Sequence, residues 1–263
     1  MGGLEGKTVV ITGASRGLGE AMAIGLAAQG AGVVLAARNV DDLERVAKAC
    51  SDAGAQHATV VQTDITDEPQ VQRLVEGVLE HDGRIDVFVA NAGTSYGMLT
   101  DKKFRELHSY DADITRQLFE VNVIGTWLCM KHALPKMQAG SSFIVIGSET
   151  GRALYPGAGM YAITKATDDA LATLAAREMA EAGVRVNVLS PGGMVDTQLF
   201  GPTGMPEWLK QAHPPLPADV IVPAALWLAS DEADGVTGAI ISGKQFNETG
   251  PEGVRSTLEP ARA

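Results

Sequence analysis

The chain has 263 residues, of which 45% are hydrophobic and 20% are charged, a balance typical of a globular protein. Its formal net charge of −11 argues against general binding to nucleic acid or to an anionic membrane, because both need a basic surface. Like charge also disfavours a strongly acidic protein partner.

The first residues lack the basic region and the apolar stretch of a signal peptide, and no run is long enough for a transmembrane helix. Two cysteines are present, Cys50 and Cys129, and both fall in helical apolar patterns. They are therefore expected to be core residues rather than a disulfide framework. Together these features predict a cytoplasmic protein.

Short β-branched runs alternate with longer helical patterns along the chain. Strands are predicted at Lys7–Thr12, Gly32–Ala37, Ala58–Gln62, Ile85–Ala90, Ser142–Gly147, Val184–Ser190 and Ala239–Ser242. Helices are predicted near Gly17–Gln29, Asp41–Ala53, Glu68–His81, Ile114–Met137, Tyr161–Ala182 and Val220–Ser230. This alternation, with unbroken apolar strands, predicts a single α/β domain over residues 1–250, built on a doubly wound parallel sheet with helices on both faces.

Three segments depart from the alternation. Residues 94–113 are polar and charged and are predicted to form an extended loop. Residues 194–217 are rich in proline and are predicted to form a substrate lid, because long irregular segments of compact domains are often lids or binding loops. Residues 251–263 have few apolar side chains and are predicted to be a loose tail.

The first predicted strand runs directly into the sequence Thr12-Gly-Ala-Ser-Arg-Gly-Leu-Gly19, which opens a helix. Glycines at these positions let the backbone turn sharply and approach a pyrophosphate closely. The helix amino terminus then offers unpaired N–H groups and the positive end of its dipole to the anion. The strand before the loop and the helix after it make this a strong indication of a nucleotide site.

Tyr161 and Lys165 are four residues apart in a predicted helix, so both side chains lie on the same helix face. A nearby ammonium favours the phenolate and is expected to lower the pKa of the phenol toward neutral pH. Such a phenol can both donate and accept a proton. The spacing alone is weak evidence, because chance also places Tyr and Lys four apart on many helices.

Two polar residues upstream accompany this pair. Ser148 follows an apolar strand, and Asn122 is an amide within an apolar helical stretch. Taken singly, Ser148 could merely end a strand and Asn122 could be a satisfied core amide. Their joint occurrence in this order with the Tyr161–Lys165 pair needs a better explanation.

With the glycine loop, these residues make the chain resemble the short-chain dehydrogenase/reductase family over essentially its full length. Further matches are Asn91-Ala-Gly93 after the fourth strand and Pro191-Gly192 after the sixth. The chain is similar to bacterial carbonyl and 3-oxoacyl reductases of that family. The resemblance implies a Rossmann-type fold, a nicotinamide cofactor and hydride transfer between a carbonyl and an alcohol.

The resemblance implies a catalytic group of Asn122, Ser148, Tyr161 and Lys165. Tyr161 would exchange a proton with the substrate oxygen, which Ser148 would orient and polarise. Lys165 would hydrogen-bond the nicotinamide ribose and hold the pKa of the tyrosine down. Asn122 would hold a water that connects the lysine to solvent.

The resemblance also implies a cofactor-binding set drawn from the strand ends and the loops after them. Its members are Gly13, Ser15, Arg16, Gly17, Leu18, Gly19, Arg38, Asp64, Ile65, Asn91, Gly93, Tyr161, Lys165, Pro191, Gly192 and Thr197. Asp64 would contact the adenine amino group. Pro191, Gly192 and Thr197 would hold the nicotinamide. No metal site is expected.

The end of the second strand bears on the type of cofactor. NAD-binding members usually place there an acid that binds the ribose hydroxyls, but this strand ends in Ala37 followed by Arg38. Arg38 and Arg16 suit a 2′-phosphate, which guanidinium groups hold by charge-assisted hydrogen bonds. Alternatively, both arginines are solvated surface charges. NADP(H) is the predicted cofactor, and NAD(H) is the alternative.

The predicted activity is that of an NADP(H)-dependent carbonyl reductase or alcohol dehydrogenase acting on a small or medium-sized, apolar or mixed substrate. A partly apolar pocket is suggested by residues that suit the core of a lid equally well: Tyr155, Met160, Met194, Leu199, Phe200 and Trp208. Glu149 either contacts a polar substrate or faces solvent.

Two alternatives remain open. One is a 3-oxoacyl-thioester reductase with the same chemistry, and the other is a regulator that senses NADP(H) without turnover. A homo-oligomer, dimer or tetramer, is expected. The sequence Ser242-Gly-Lys-Gln-Phe246 replaces the Asp-Gly-Gly that the family often carries after its last strand, where subunits meet.

Overall fold

A central sheet of parallel strands organises the molecule. The protein was studied as a computed structural model that describes residues 3–100, 106–201 and 204–257. In chain order the strands are β1 Thr8–Thr12, β2 Gly32–Ala37, β3 Ala58–Gln62, β4 Val87–Ala90, β5 Ser142–Ile146, β6 Arg185–Ser190 and β7 Ile240–Ser242. Their spatial order is β3-β2-β1-β4-β5-β6-β7, so the order reverses between β1 and β4.

The α-helices of the described part lie between and after these strands. They are α1 Gly17–Ala27, α2 Val40–Ala53, α3 Glu68–Asp82, α4 Tyr96–Leu99, α5 Ala112–Phe119, α6 Thr126–Ala133, α7 Glu149–Ala153, α8 Gly159–Glu178, α9 Glu207–Ala212, α10 Val222–Ala229 and α11 Gly243–Arg255. A π-helix, Glu120–Gly125, joins α5 to α6. The predicted helix at Ile114–Met137 is thus divided, and its last turn is a 3-10 helix, Leu134–Lys136.

The sheet is covered on both faces, as the unbroken apolar strands predict. Val9 and Ile11 of β1 belong to one core cluster, which α1, α2, α10 and α11 cover. Val10 belongs to the other, which α3, α6 and α8 cover. Successive strand residues point to opposite faces, so a strand buried on both sides must be apolar at every position. The prediction of a single doubly wound, Rossmann-type domain is confirmed.

Both cysteines are free and buried, as expected. Burial raises the pKa of the Cys50 thiol to about 11 and that of the Cys129 thiol to about 12. Within the described residues, no helix is both long enough and apolar enough to cross a membrane.

The two irregular segments contain short helices and touch each other. Helix α4 lies in the first segment and α9 in the second. The Ser95 hydroxyl donates to the Leu199 carbonyl. A Cβ on Gly201 would stand 2.1 Å from the Gly97 oxygen, so the two backbones meet directly. Residues 101–105 and 202–203 of these segments lie outside the described residues.

The carboxyl terminus differs from the prediction of a loose tail over 251–263. Helix α11 continues through a kink at Gly250 and ends at Arg255. Beyond the kink, Val254 is buried, and the Arg255 guanidinium lies 6.0 Å from the Trp227 ring centroid and donates to the Glu232 carbonyl at 2.6 Å. These contacts hold the segment against α10. The composition of residues 251–263 does not reveal this packing. Residues 258–263 lie outside the described part of the chain.

Candidate active site

A cavity of about 860 Å³ opens at the carboxyl ends of the strands, where the order reverses between β1 and β4. Ligands of open α/β sheets bind at such a point because the connections leave it in opposite directions. All but two of the predicted site residues line it: Gly13, Ser15, Arg16, Gly17, Leu18, Arg38, Asp64, Ile65, Asn91, Gly93, Ser148, Tyr161, Lys165, Pro191, Gly192 and Thr197. The two exceptions, Gly19 and Asn122, lie behind this wall.

The glycine loop lies tightly against the segment that follows β4. The Asn91 amide donates to the carbonyls of Thr12 at 2.9 Å and Gly13 at 3.1 Å. Gly13 has a φ of +65°, and a Cβ there would stand 2.7 Å from the Ala92 Cα. A Cβ on Gly19 would stand 2.3 Å from the Gly13 oxygen. Gly19 is not in the cavity wall. Its lack of a Cβ lets the first turn of α1 pack closely against the loop.

Thr12 also holds this junction together, although the sequence singled it out only as the start of the loop. Its hydroxyl accepts the backbone N–H groups of Asn91 at 3.1 Å and Ala92 at 3.2 Å. Asn91 is thus occupied with the protein backbone. These bonds hold the start of the loop against the segment after β4, and the residues of the loop line the cavity.

Arg16 and Arg38 line the same end of the cavity. Arg16 precedes the first helical residue of α1 and has an extended backbone. Gln62 of β3 donates to the Arg38 carbonyl at 3.0 Å, which ties the end of β2 to its neighbour. Asp42 of α2, which the sequence did not single out, lines the cavity beside them.

Asp64 and Ile65 follow β3 and line the cavity. One Asp64 carboxylate oxygen, Oδ1, accepts the Thr66 N–H at 3.0 Å and the Thr66 hydroxyl at 2.8 Å, which fixes the orientation of the carboxylate. Ile65 packs against Gly125, where a Cβ would stand 2.5 Å from the isoleucine Cδ1.

Asn122 lies in the π-helix and is fully buried. Its amide donates to the Thr94 carbonyl at 2.9 Å and to the Thr164 hydroxyl at 3.0 Å, and its oxygen accepts the Thr94 N–H at 2.7 Å. The side chain matches the interpretation as a satisfied core amide. It fixes Thr94 at the cavity wall and joins the π-helix to α8.

Ser148 caps α7, accepting the Thr150 N–H at 3.3 Å. Helix α7 packs on α8 at Lys165, where Gly151 allows the approach because a Cβ there would stand 2.7 Å from the Ala166 nitrogen. This packing brings Ser148 close to Tyr161, where its hydroxyl acts to lower the pKa of the phenol.

The expected net lowering of the Tyr161 pKa is wrong, because the net direction is upward. Burial raises the pKa of the phenol, and this effect outweighs the opposing charge of Lys165 and the hydrogen bond from Ser148. Lys165 does act in the expected direction. The sequence shows the spacing of the pair, but it does not show that both groups are buried.

The Lys165 ammonium has two buried partners in the protein. It donates to the Ile146 carbonyl at 2.9 Å and to the Asp168 carboxylate at 2.9 Å. Burial lowers the pKa of Lys165, but Asp168 and Tyr161 outweigh burial and the net direction is upward. Sequence reasoning missed Asp168, although an acid three residues after the lysine on α8 was visible as a charge pair.

Pro191, Gly192 and Thr197 line the cavity after β6. A Cβ on Gly192, whose φ is +86°, would stand 2.3 Å from the Ser242 hydroxyl and 2.7 Å from the Lys244 Cβ. The Lys244 N–H donates to the Pro191 carbonyl at 3.0 Å, and Lys244 also lines the cavity. The segment that departs from the usual family ending thus supports this loop.

Four of the predicted pocket residues line the cavity, namely Tyr155, Met194, Leu199 and Phe200. Met160 and Trp208 do not, and Trp208 is 61% exposed. Tyr96 and Tyr110, with ring centroids 4.7 Å apart, complete this apolar end. Glu149 also lines the cavity, and its carboxylate accepts the Ser190 hydroxyl at 2.6 Å.

The cavity residues fit a nicotinamide dinucleotide. Cβ atoms on Gly13 and Gly19 would collide with neighbouring backbone atoms. Because both residues are glycine, the loop packs closely and a pyrophosphate can approach the start of α1. Within the described ranges, no group of three or more His, Cys, Asp and Glu side chains is placed to hold a metal ion.

Comparison with known proteins supports this interpretation. A family model described as short chain dehydrogenase matches residues 7–207. An uncharacterized oxidoreductase of Methylorubrum extorquens is 36% identical over 250 residues, which cover 92% of this chain and 98% of that protein. A cis-4-hydroxycyclohexanecarboxylate dehydrogenase of Sinomonas cyclohexanicum is 37% identical over 247 residues, which cover 90% of this chain and 94% of that protein.

Solved structures agree. The carveol dehydrogenase from Mycobacterium avium in complex with NAD superposes with a TM-score of 0.80 at 27% identity, covering 92% of this chain and 97% of that one. The 3-ketoacyl-(acyl-carrier-protein) reductase from Brucella melitensis complexed with NADH has a TM-score of 0.79 at 29% identity, covering 91% and 97%. The chain therefore belongs to the short-chain dehydrogenase/reductase family.

Proposed function

We propose that the protein is an NADP(H)-dependent oxidoreductase that transfers hydride between the nicotinamide and a carbonyl or secondary alcohol, with Tyr161 as general acid and base. The observation that carries the proposal is that Ser148, Tyr161 and Lys165 line the same cavity as the glycine loop. A proton-transfer group and a dinucleotide cradle thus share one space at the switch point of the sheet.

The bound cofactor would supply or accept the hydride. The Ser148 hydroxyl orients the substrate oxygen and donates to it as negative charge develops there. Tyr161 gives that oxygen a proton in reduction and removes one in oxidation. Lys165, held by the Ile146 carbonyl and Asp168, keeps a positive charge beside the phenol.

The direction of the Tyr161 pKa predicts the pH dependence. Burial raises the pKa of the Tyr161 phenol beyond its ordinary value, so the phenol keeps its proton at neutral pH. A protonated phenol is the form that reduction needs. Oxidation needs the phenolate and is therefore expected to gain rate as pH rises, whereas reduction loses rate over the same range.

Arg16 and Arg38 support NADP(H) as the cofactor, because both line the end of the cavity next to Ala37, where an NAD-binding acid would stand. Asp42 at the same end is an acid that a 2′-phosphate would have to face. The two related structures named above hold NAD and NADH. Binding of both cofactors is therefore the necessary comparison.

The apolar end of the cavity supports a ring-containing secondary alcohol or its ketone as substrate. Tyr96, Tyr110, Tyr155 and Phe200 line this end. Two relatives are named for alcohols on a six-membered ring, carveol and cis-4-hydroxycyclohexanecarboxylate. The solved 3-ketoacyl reductase keeps an acyl thioester as a second candidate, which the net charge of −11 disfavours where the carrier is acidic.

The proposal is tested by measuring oxidation and reduction with NADP(H) and NAD(H) across cyclic alcohols, ketones, acyl thioesters and sugars. Tyr161→Phe is then expected to lower kcat by about a thousandfold while cofactor affinity is retained, because only the acid–base group is lost. Tyr155→Phe, a matched change in the same cavity, is expected to keep most of kcat. An unchanged rate in Tyr161→Phe would favour the NADP(H)-sensing regulator.

We also propose a homo-oligomer, dimer or tetramer, in the cytoplasm. Large apolar side chains stand exposed on the π-helix and α6 (Ile124 and Trp127) and on α8 (Ile163 and Leu174). The π-helix is bonded to α8 through Asn122 and Thr164. Replacing Trp127 and Ile163 by glutamate is expected to give a monomer in analytical ultracentrifugation if these helices form the interface.

A further inference from the structure

Asp168 is a buried acid whose one hydrogen-bond partner among the described residues is Lys165. Its relative exposure is 0%, and its Oδ2 atom lies 2.9 Å from the Lys165 ammonium. Its other oxygen, Oδ1, is buried and has no hydrogen-bond donor among the described residues. Burying a carboxylate is costly, so an acid at this place needs a compensating reason.

The surroundings of the Tyr161–Lys165 pair contain few other charges. Asp169, next along α8, is bonded to Arg152 of α7 at 3.0 Å. Glu149 accepts the Ser190 hydroxyl at 2.6 Å and lies 3.4 Å from the same arginine. Arg152 therefore offsets one of these two charges, with the closer contact to Asp169. Asp168 contacts the lysine itself.

We propose that Asp168 is a positioning residue for Lys165: it anchors the ammonium from below and offsets its charge, and it thereby sets the pH at which Tyr161 begins to exchange protons. This inference rests on the proposed function, since it assigns a role within the same site. It adds to the Asn122, Ser148, Tyr161 and Lys165 group an acid that neither the motif nor the comparisons identify.

The two contacts of Lys165 show how the anchoring works. The Ile146 carbonyl and the Asp168 carboxylate each hold one N–H of the ammonium, so its position is fixed before any cofactor arrives. The third N–H is left to point elsewhere. A Cβ on Gly93 would stand 3.8 Å from this nitrogen, which shows that the ammonium reaches the cavity wall.

The charge effect follows from counting the buried groups. With Asp168 ionised, the cluster of Asp168, protonated Lys165 and protonated Tyr161 carries no net charge, and loss of one proton makes it negative. Without the carboxylate, the cluster starts positive and loss of one proton makes it neutral. The second change is easier in a buried site, whichever of the two groups releases the proton. Asp168 thus raises the pH of the first proton loss.

Because Asp168 Oδ1 has no donor among the described residues, the charge can be removed without breaking a second hydrogen bond. In Asp168→Asn the amide oxygen can still accept the Lys165 N–H, and the new NH₂ group takes the place of Oδ1, where no described donor opposes it. The substitution therefore removes the charge and keeps the anchor. Asp168→Ser removes the same charge with a smaller side chain. Asp169→Asn removes the neighbouring buried charge and serves as the matched control.

The measurement is the titration of the Tyr161 phenolate by near-ultraviolet absorbance, taken as the difference between each variant and the same variant carrying Tyr161→Phe. We expect Asp168→Asn and Asp168→Ser to lower the inflection by about one pH unit. Asp169→Asn is expected to give less than half of that shift, because Arg152 compensates its charge. The pH profile of alcohol oxidation is expected to move in parallel, with cofactor affinity retained in Asp168→Asn.

The proposal is overturned if the inflection stays in place in Asp168→Asn and Asp168→Ser while only the unfolding midpoint falls, since Asp168 would then be structural. An equal shift in Asp169→Asn would also overturn it, because any buried acid would suffice. The phenolate titration needs neither cofactor nor substrate. It therefore tests Asp168 even if the chain turns over none of the proposed substrates, an outcome that would count against the proposed function alone.

Discussion

The glycine loop after β1 and the catalytic end of α8 line the same cavity, but different interactions hold them in place. In the loop, backbone lies directly against backbone because Gly13 and Gly19 have no Cβ, and the side chains of Thr12 and Asn91 bond the two segments together. The end of α8 consists of buried charged groups, Lys165 and Asp168, held by each other. The loop therefore depends on the absence of Cβ atoms at its glycines, and the end of α8 depends on the balance between opposite buried charges.

The comparison explains why the two regions differ in how far the sequence predicts them. A residue without a Cβ is needed wherever backbones meet or φ is positive, so the glycines mark the loop by type alone. A buried ion pair depends on which groups the folded chain covers. The spacing of Tyr161 and Lys165 was readable, whereas the raised pKa of the phenol and the contact with Asp168 follow from burial.

After Tyr161→Phe, the next largest expected effect separates chemistry from binding. Ser148→Ala removes a donor to the substrate oxygen and is expected to lower kcat by about a hundredfold or more. Cofactor affinity should stay within about twofold, because the glycine loop is untouched. Steady-state kinetics with fluorescence titration of the cofactor measures both quantities. Equal losses in kcat and in cofactor affinity would show that the two regions are not independent.

Gly19→Ala tests the region made of backbone. The new Cβ would stand 2.3 Å from the Gly13 carbonyl oxygen, so the loop or helix α1 must shift. A clash of this kind costs about 1–3 kcal/mol, and cofactor affinity is expected to fall by about thirtyfold. The Tyr161 phenolate titration should not move. A variant that binds cofactor normally would contradict the assigned role of the glycine.

Arg38→Ala tests which cofactor the residues after β2 favour. Loss of one guanidinium is expected to weaken NADPH binding by about tenfold, because a charge-assisted hydrogen bond is lost, and to leave NADH binding within about twofold. Isothermal titration with each cofactor measures the difference. If wild type prefers NADH, or if both affinities change equally, the argument for NADP(H) fails.

Gly77→Ala is the smallest expected change and the control for Gly19→Ala. Gly77 lies inside α3, and a Cβ there would meet nothing within 4 Å. The same substitution in a helix should therefore stabilise the protein by up to about 1 kcal/mol and leave kcat and cofactor affinity unchanged. Thermal unfolding measures it. A loss of stability would mean that glycine-to-alanine changes cannot be judged from local space in this fold.

Beyond the site, the sheet and its two core faces could be predicted because they depend on local pattern. The strand at Gly32–Ala37 was predicted to the residue, and Ser142–Gly147 to within one. The division of the helix around Asn122 could not be predicted, because residues 114–137 keep one helical pattern throughout. The course of α11 beyond Gly250 was missed for a related reason, since only tertiary contacts with Trp227 and Glu232 hold its last turn.

The π-helix at Glu120–Gly125 makes the site sensitive to a one-residue deletion. A π-turn holds one residue more than an α-turn, so removing a single residue such as Val123 would let α5 run into α6 as one regular helix. Within this segment each residue would then advance by about 100° around the axis, more than in the wider π-turn, so the direction of the Asn122 side chain would change. Asn122 could no longer reach both Thr94 and Thr164. A one-residue deletion there, which leaves every named site residue in the sequence, is thus expected to disable the site.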